Sequence, residues 1–274
     1  EIGQFLRRLG TEVTIVEMMP QILPMEDEDV AKQLVRQFKK DKIKVITGKG
    51  ITSVKVENNR VIAGMDDATL EADIMMVSIG RKPFTEGLGL ENVGIETDKR
   101  GRIPVNKKME TCVEGIYAIG DIVDTPFLAH VASKEGLIAA ENAMGGNKEA
   151  VYHAVPRCVY TEPEVAAIGL TEAEAEAADM RYRTGSFDFR GLGKAQAINK
   201  IQGSVKVLVD ENDRLIGASV VGPHATDVLA ELTLAVHLGL SAEQVGDVIH
   251  PHPTLCEALM EALHDVYGQS IHKV

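Results

Sequence analysis

The run His250-Pro251-His252-Pro253-Thr254-Leu255-Cys256-Glu257 concentrates the side chains best suited to proton chemistry near the C-terminal end of the chain. Each proline fixes its own φ and biases the residue before it towards extended backbone, so His252 is presented from a stiff, non-helical segment. Leu255, Leu259 and Leu263 then fall at helical spacing and predict a helix over 254–267, with Thr254 as N-cap and Glu257 in the acidic place of a capping box. That reading accounts for Thr254 and Glu257 but not for a histidine clamped between prolines beside them. A carboxylate folded back onto one imidazole nitrogen would fix the tautomer and leave the other nitrogen for acid–base work. On the motif alone the two readings weigh evenly, and His252 with Glu257 is the candidate catalytic pair. His250 and His252 also have the spacing of a chelate. Alternation in an extended segment already puts such neighbours on one face for packing, and no metal site is expected.

The rest of the composition narrows the class. A length of 274 residues, 45% of them hydrophobic, suffices for a real core and about two domains. Formal net charge is −12 with dispersed basic residues, which argues against nucleic acid and anionic membrane as partners. No apolar run has the length of a membrane span, and the first residues carry no targeting pattern. The three cysteines, Cys112, Cys158 and Cys256, lack motif spacing, which argues against a disulfide framework or a thiolate metal site. They fit a reducing compartment: the cytoplasm, or the mitochondrial matrix in a eukaryote.

The positioning elements follow from periodicity. Residues 1–10 read as a helix with Ile2, Phe5, Leu6 and Leu9 on one face and Gly10 at its end, and residues 11–17 as a strand that stops on Glu17. A helix feeding a strand that ends on an acid is the second half of a βαβ dinucleotide-binding unit, whose glycine-rich turn would lie just before residue 1. No G-x-G-x-x-G occurs in that context, so the chain is expected to be part of a longer protein. A charged amphipathic helix is predicted over 27–40, then strands over 42–47, 51–57 and 60–65 with an Asn58-Asn59 turn between the last two. Residues 72–80 read as a buried strand running into Gly80, a glycine that either admits a ligand or another backbone or serves plain turn chemistry. Residues 115–121 read as another apolar strand, ending in Gly120-Asp121 before a small-residue helix over 128–144. Such a junction makes a site for polar or phosphorylated ligands. An ordinary strand–turn–helix with Asp121 as a cap reads the same. Near Ala150 the pattern changes to α+β: short strands over 155–160, 165–170, 182–187, 204–209 and 214–221, then helices over 225–238, 242–248 and 254–267. The run Glu172-Ala173-Glu174-Ala175-Glu176 reads as a solvated helix face.

In order and spacing these motifs resemble the C-terminal part of the flavoprotein disulfide reductases, specifically their dihydrolipoamide dehydrogenase branch. The resemblance covers essentially the whole chain. It rests on the opening helix and the Val16-Glu17 strand end, Ser78-Ile79-Gly80-Arg81-Lys82-Pro83, Tyr117-Ala118-Ile119-Gly120-Asp121 followed by Leu128-Ala129-His130, Tyr160-Thr161-Glu162-Pro163-Glu164, and the paired-histidine motif. The paired histidines resemble the lipoamide branch rather than the glutathione branch, and no vicinal cysteine pair ends the chain as in mercuric reductases. The resemblance implies a mixed α/β and α+β fold. Residues 1–80 would be part of a Rossmann-like NAD-binding domain, 81–150 would complete an FAD domain, and 151–274 would form an α+β dimerisation domain with apolar faces around Leu229, Leu232, Leu234 and Leu238.

By the same resemblance, Gly120 and Asp121 meet the flavin ribityl chain, with Leu128, Ala129 and His130 lining the isoalloxazine region of FAD. Glu17 takes the adenosine ribose hydroxyls of NAD, and Glu1 and Gly80 lie on the nicotinamide approach. His252 and Glu257 would serve the active site of the opposite subunit of a homodimer. There His252 takes the proton of dihydrolipoamide as its thiol attacks a redox disulfide, and electrons pass through FAD to NAD. The implied partner is the lipoyl-bearing acyltransferase component of a 2-oxo acid dehydrogenase complex. The sequence departs from the family in lacking the C-x-x-x-x-C redox pair, the first FAD-binding fold and the dinucleotide glycines, so these residues alone are not expected to turn over. Two other readings stay open: another flavin disulfide reductase or flavin-dependent transhydrogenase, or a non-catalytic dimerisation or partner-docking module.

Overall fold

The segment Ser204–Asp210 buries every residue from Val205 to Val209, Lys206 included. A strand buried on both faces must lie between two layers. The computed structural model, which describes residues 1–273, shows what those layers are. In chain order the elements are α1 (Ile2–Arg8), β1 (Thr14–Glu17), α2 (Glu28–Lys40), β2 (Lys44–Thr47), β3 (Ser53–Glu57), β4 (Arg60–Gly64), β5 (Thr69–Ala72), α3 (Ala129–Ala143), β6 (Arg157–Val159), β7 (Glu164–Gly169), α4 (Glu172–Ala177), β8 (Tyr182–Asp188), α5 (Gly193–Ala197), β9 (Ser204–Asp210), β10 (Leu215–Gly222), α6 (Ala225–Leu238), α7 (Ala242–Gly246) and α8 (Glu257–Asp265).

Two compact units result, residues 1–75 with 154 onward, and residues 76–153. In the first, β6-β7-β10-β9-β8 form an antiparallel sheet, β1 and β2 a parallel pair, and β3-β4-β5 an antiparallel meander. Asn58 and Asn59 turn between β3 and β4 with φ of 50° and 61°, a left-handed conformation that asparagine tolerates. Val205, Val207 and Val209 join Phe187, Leu229, Leu232, Leu259 and Leu263 in one core, so α6 and α8 cover one face of the large sheet. The other face is covered by α2, whose Val30, Ala31, Leu34 and Phe38 share a core with Val165 of β7 and Val221 of β10. Gly185 lets α8 approach β8: a Cβ there would lie 2.2 Å from the Ala262 carbonyl.

Because the side-chain period of a strand is two, Lys206 points away from the valine core and under α2. Its ammonium is met by Asp27 at 2.7 Å, Asp29 at 2.8 Å and Glu172 at 2.7 Å. Burial alone would lower the affinity of Lys206 for its proton, but the three carboxylates outweigh it and hold the group above the usual lysine range. These carboxylates are close enough together to hold a metal ion, and the ammonium stands among them instead. The second unit consists of α3 with loops around it, buried through Ile95, Ile103, Ala118 and Val123 on one side and Met109, Ile138 and Ala139 on another. Among the described residues no helix is long and apolar enough to cross a membrane.

Several expected elements differ. Residues 73–80 form no strand, and Ile74 and Ile79 are 84% and 94% exposed, because no neighbouring strand among the described residues offers them a ladder. Residues 115–121 make only a bridge from Tyr117 to Glu110 before a 3-10 turn at Gly120–Ile122. Nor is Glu172–Ala177 merely a solvated face: Glu174 closes a capping box with Thr171, and Glu172 binds Lys206. On α6 the expected apolar face divides, with Leu229 and Leu232 in the core while Leu234 and Leu238 are 58% and 59% exposed.

Replacing Lys206 by Met should lower unfolding free energy by roughly 3 kcal/mol, since it leaves the Asp27 carboxylate, only 9% exposed, with the Glu172 N–H but without its ammonium. Asp29→Asn should cost less than about 1 kcal/mol, because that side chain is 55% exposed. Urea denaturation midpoints of the two variants test this ordering.

Candidate functional site

The second proline-flanked histidine is held as the acid–base reading requires. His252 donates Nδ1–H to Glu257 Oε1 at 2.7 Å, and Glu257 Oε2 accepts the Thr254 N–H at 2.8 Å. With both oxygens engaged, the carboxylate cannot rotate away, and it fixes the imidazole tautomer that keeps Nε2 as an acceptor. Nε2 has no hydrogen-bond partner among the described residues, and the ring is 75% exposed. Burial pushes the Glu257 carboxyl up. The bonds from His252 and the Thr254 N–H outweigh it, with the nearby charges of His252 and His272, and hold the group below the usual glutamate range.

The capping box is only half formed. α8 starts at Glu257 rather than Thr254, and the Thr254 hydroxyl donates to the Pro251 carbonyl at 2.7 Å instead of accepting from the helix. The prolines keep residues 251–254 out of the helix, and Cys256 takes the N-cap place.

His250 plays the opposite part. Its side chain is 3% exposed, Nδ1–H donates to the Val248 carbonyl at 2.7 Å, and Nε2 lies 2.9 Å from Glu231 Oε1. With both nitrogens occupied and the ring buried, it is a structural residue that anchors the loop to α6. Cys256 and Cys158 are half-buried, and burial, with nearby carboxylates, pushes both thiols up, which disfavours the thiolate.

The Gly120-Asp121 turn lies in the second unit. Gly120 needs its φ of 72°, and a Cβ there would press to 3.3 Å from Ala132. Asp121 stands out from the turn, 46% exposed, and accepts from Arg81 at 3.2 Å. Leu128 is the N-cap residue of α3 and supplies no side-chain bond, with Ala129 and His130 exposed in the first turn. A half-exposed carboxylate beside a helix N-terminus that no side chain caps is a donor and acceptor set that fits a hydroxyl- and phosphate-bearing group such as FAD. What steadies the turn is Glu135, which the sequence did not single out: it is fully buried and accepts the Gly120 N–H at 2.7 Å and the Tyr152 hydroxyl at 2.8 Å. An acid in a helix otherwise rich in small and apolar residues was the available signal.

Glu17 ends β1 on the C-terminal edge of the parallel pair. One of its oxygens accepts the Met19 N–H at 2.8 Å, which leaves the other to accept from a ribose hydroxyl, so NAD fits there. Glu1 accepts the Tyr160 N–H at 2.7 Å, and buried Gln4 exchanges two hydrogen bonds with the Glu162 backbone, which ties α1 to the loop before β7. Gly80 has a φ of 123°, a conformation that favours glycine, and a Cβ there would meet no other atom of the chain within 4 Å.

Comparison with known proteins shows the family. The family described as pyridine nucleotide-disulphide oxidoreductase matches residues 1–136, and its dimerisation domain matches residues 155–263. The chain belongs to the pyridine nucleotide-disulphide oxidoreductase family. Similar proteins include a dihydrolipoyl dehydrogenase of Thermus scotoductus, 45% identical across 99% of this chain and 60% of that protein. A mitochondrial dihydrolipoyl dehydrogenase of Caenorhabditis elegans is 41% identical across 100% and 57%. The crystal structure of LpdA from Mycobacterium tuberculosis matches at a TM-score of 0.89 and 29% identity, covering 96% of this chain and 58% of that one. The chain thus spans between half and two thirds of the length of these family members. The fold is the mixed α/β fold of the flavoprotein disulfide reductases.

Glu135→Ala should leave the Gly120 N–H and the Tyr152 hydroxyl without their partner and destabilise the second unit by roughly 2–4 kcal/mol. Hydrogen exchange should show the amide of Gly120 losing protection in this variant while amides of β9 keep theirs.

Proposed function

We propose that this chain carries the proton-transfer pair, cofactor-binding residues and subunit interface of a dihydrolipoyl dehydrogenase, an NAD-dependent flavoprotein oxidoreductase. The observation that carries the reading is the pair itself: a solvent-facing imidazole whose Nδ1–H is fixed by a carboxylate with both oxygens engaged. In this reading residues 1–80 belong to the NAD-binding domain, 81–150 complete the FAD domain and 151–274 form the interface. Relatives named dihydrolipoyl dehydrogenase support the substrate class. The match to a dimerisation domain supports a homodimer, in which exposed Leu234, Leu238 and Ile249 would be covered.

His252 Nε2 would take the proton from a dihydrolipoamide thiol, which makes the attacking thiolate. Glu257 holds the ring in place and stabilises the imidazolium that forms. The disulfide attacked is the C-x-x-x-x-C pair of the family, absent from these 274 residues. The reaction therefore belongs to the full-length enzyme, with His252 serving the partner subunit. Bound FAD would supply the two-electron redox chemistry between the thiols and NAD. Asp121 would hold its ribityl hydroxyls beside the start of α3, and Glu17 would accept the ribose hydroxyls of NAD and repel a 2′-phosphate. The lipoyl-bearing acyltransferase of a 2-oxo acid dehydrogenase complex is the partner this chemistry implies. Mitochondrial relatives support the matrix as one setting, and the cytoplasm is the other.

In the full-length enzyme His252→Gln should slow dihydrolipoamide oxidation by roughly 10²–10⁴. Glu257→Gln should cost less, and NADH-driven reduction of a small acceptor at the flavin should largely survive both changes. Loss of both activities together, or a larger effect from His250→Gln, would overturn the assignment. Glu17→Ala should narrow the preference for NAD over NADP by roughly tenfold, the weight of one charge-assisted hydrogen bond. An unchanged ratio of kcat/KM values would make Glu17 an ordinary strand-end residue.

A further inference from the structure

Three residues of α3 meet the segment around Gly120 at helical spacing: Ala132, Glu135 and Gly136. A Cβ on Gly120 would lie 3.3 Å from the Ala132 side chain, and a Cβ on Gly136 would lie 3.3 Å from Ile119, so helix and turn approach as closely as small residues allow. Between two of the smallest residues stands an acid, and it is wholly buried. Glu135 Oε2 accepts the Gly120 N–H at 2.7 Å and Oε1 accepts the Tyr152 hydroxyl at 2.8 Å, so the carboxylate is held from both sides. Burial and the bond to Glu135 push the Tyr152 hydroxyl up, and it stays protonated to donate.

Stability alone does not call for an acid here. The buried N–H of Gly120 needs an acceptor, but a neutral side chain would supply one without the cost of burying a carboxylate. What the carboxylate adds is a charge-assisted bond, shorter than a neutral one and roughly twice as strong. The residue held so firmly is the neighbour of Asp121. The Asp121 side chain meets Arg81 at 3.2 Å with both groups open to solvent, and exposed pairs of this kind hold little. Its direction therefore rests on the backbone of the turn, and that backbone rests on Glu135.

We propose that Glu135 is a positioning residue for flavin binding, which fixes through the Gly120 N–H the direction in which Asp121 presents its carboxylate to the ribityl hydroxyls of FAD. Tyr152 keeps Glu135 in place. Glu135 is fully buried with both oxygens engaged, so it acts through Asp121 rather than on the flavin. The proposal rests on the reading of Asp121 as the acid that holds the ribityl chain.

The test is the affinity of the flavin-depleted full-length enzyme for FAD, followed by quenching of flavin fluorescence, with thermal midpoints of the apoprotein measured alongside. Glu135→Met fills similar space without an acceptor and should weaken FAD binding by roughly tenfold, the weight of one charge-assisted hydrogen bond. Glu135→Gln keeps a neutral acceptor for Gly120 and should fall between Glu135→Met and the wild type. The deciding measurement is a double-mutant cycle with Asp121→Ala. In that background Glu135→Met should change FAD affinity by less than about twofold, while the thermal midpoint falls as far as it does with Asp121 present. Equal losses of affinity in both backgrounds would mean that Glu135 serves the fold alone and would overturn the proposal, as would wild-type affinity in Glu135→Met. If Glu135→Met fails to fold, Glu135→Gln and Tyr152→Phe carry the same cycle. If Asp121→Ala holds too little flavin to measure, Asp121→Asn takes its place. An Asp121→Ala enzyme that binds FAD as tightly as the wild type would instead overturn the reading of Asp121 on which the proposal rests.

Discussion

Covering the second face of the large sheet with α2 puts Lys206 out of reach of water, and the surrounding structure follows from satisfying its charge. Asp27 is the N-cap residue of α2, Asp29 lies in the first turn and Glu172 begins α4, so one ammonium fastens two helices to β9. Alternate residues of the same strand point into the core beneath α6 and α8. The hydrophobic face and the ionic face are therefore two sides of one strand. The bidentate pair of Arg157 with Glu26 and the exchange between Gln4 and Glu162 extend the tie from the first 75 residues to the later strands.

The histidines two residues apart show how environment rather than residue type assigns roles. Both rings have a carboxylate at hydrogen-bond distance. His250 is closed in by Val248 and Glu231, while His252 keeps one nitrogen towards solvent. The difference comes from the non-helical, proline-stiffened backbone and from α8, seated against β8 where Gly185 lacks a Cβ. A rigid helix so placed gives Glu257 a fixed origin from which to hold its partner. In the other unit a buried acid again orients an exposed one: Glu135 holds the amide of Gly120, and Asp121 projects from the turn that results.

Much of this was legible in the residues. The helices over 225–238 and 27–40, the strands of the α+β segment, the Asn58-Asn59 turn and the pairing of His252 with Glu257 follow from local rules: periodicity, turn chemistry and the constraint of proline on its neighbours. Those rules act within a few residues and survive whatever the segment packs against. The chemistry suggested by Glu257 was legible for the same reason, since histidine and glutamate five residues apart across a helix start can meet without help from the rest of the fold.

What only the tertiary structure decided depends on partners far away in sequence. An apolar run becomes a strand when a neighbour offers a ladder, and residues 73–80 have none among the described residues. Nothing local marks Lys206, Glu135 or Glu261 as buried, and it is α2, the Gly120 turn and the segment around Ser270 that meet them. Burial is a property of the assembled layers and cannot be read from one segment. The sequence by itself determined which residues could transfer a proton and how the local backbone would present them. The packing of distant segments determined which charges are buried, and so which of the chain's many acids hold the site in place.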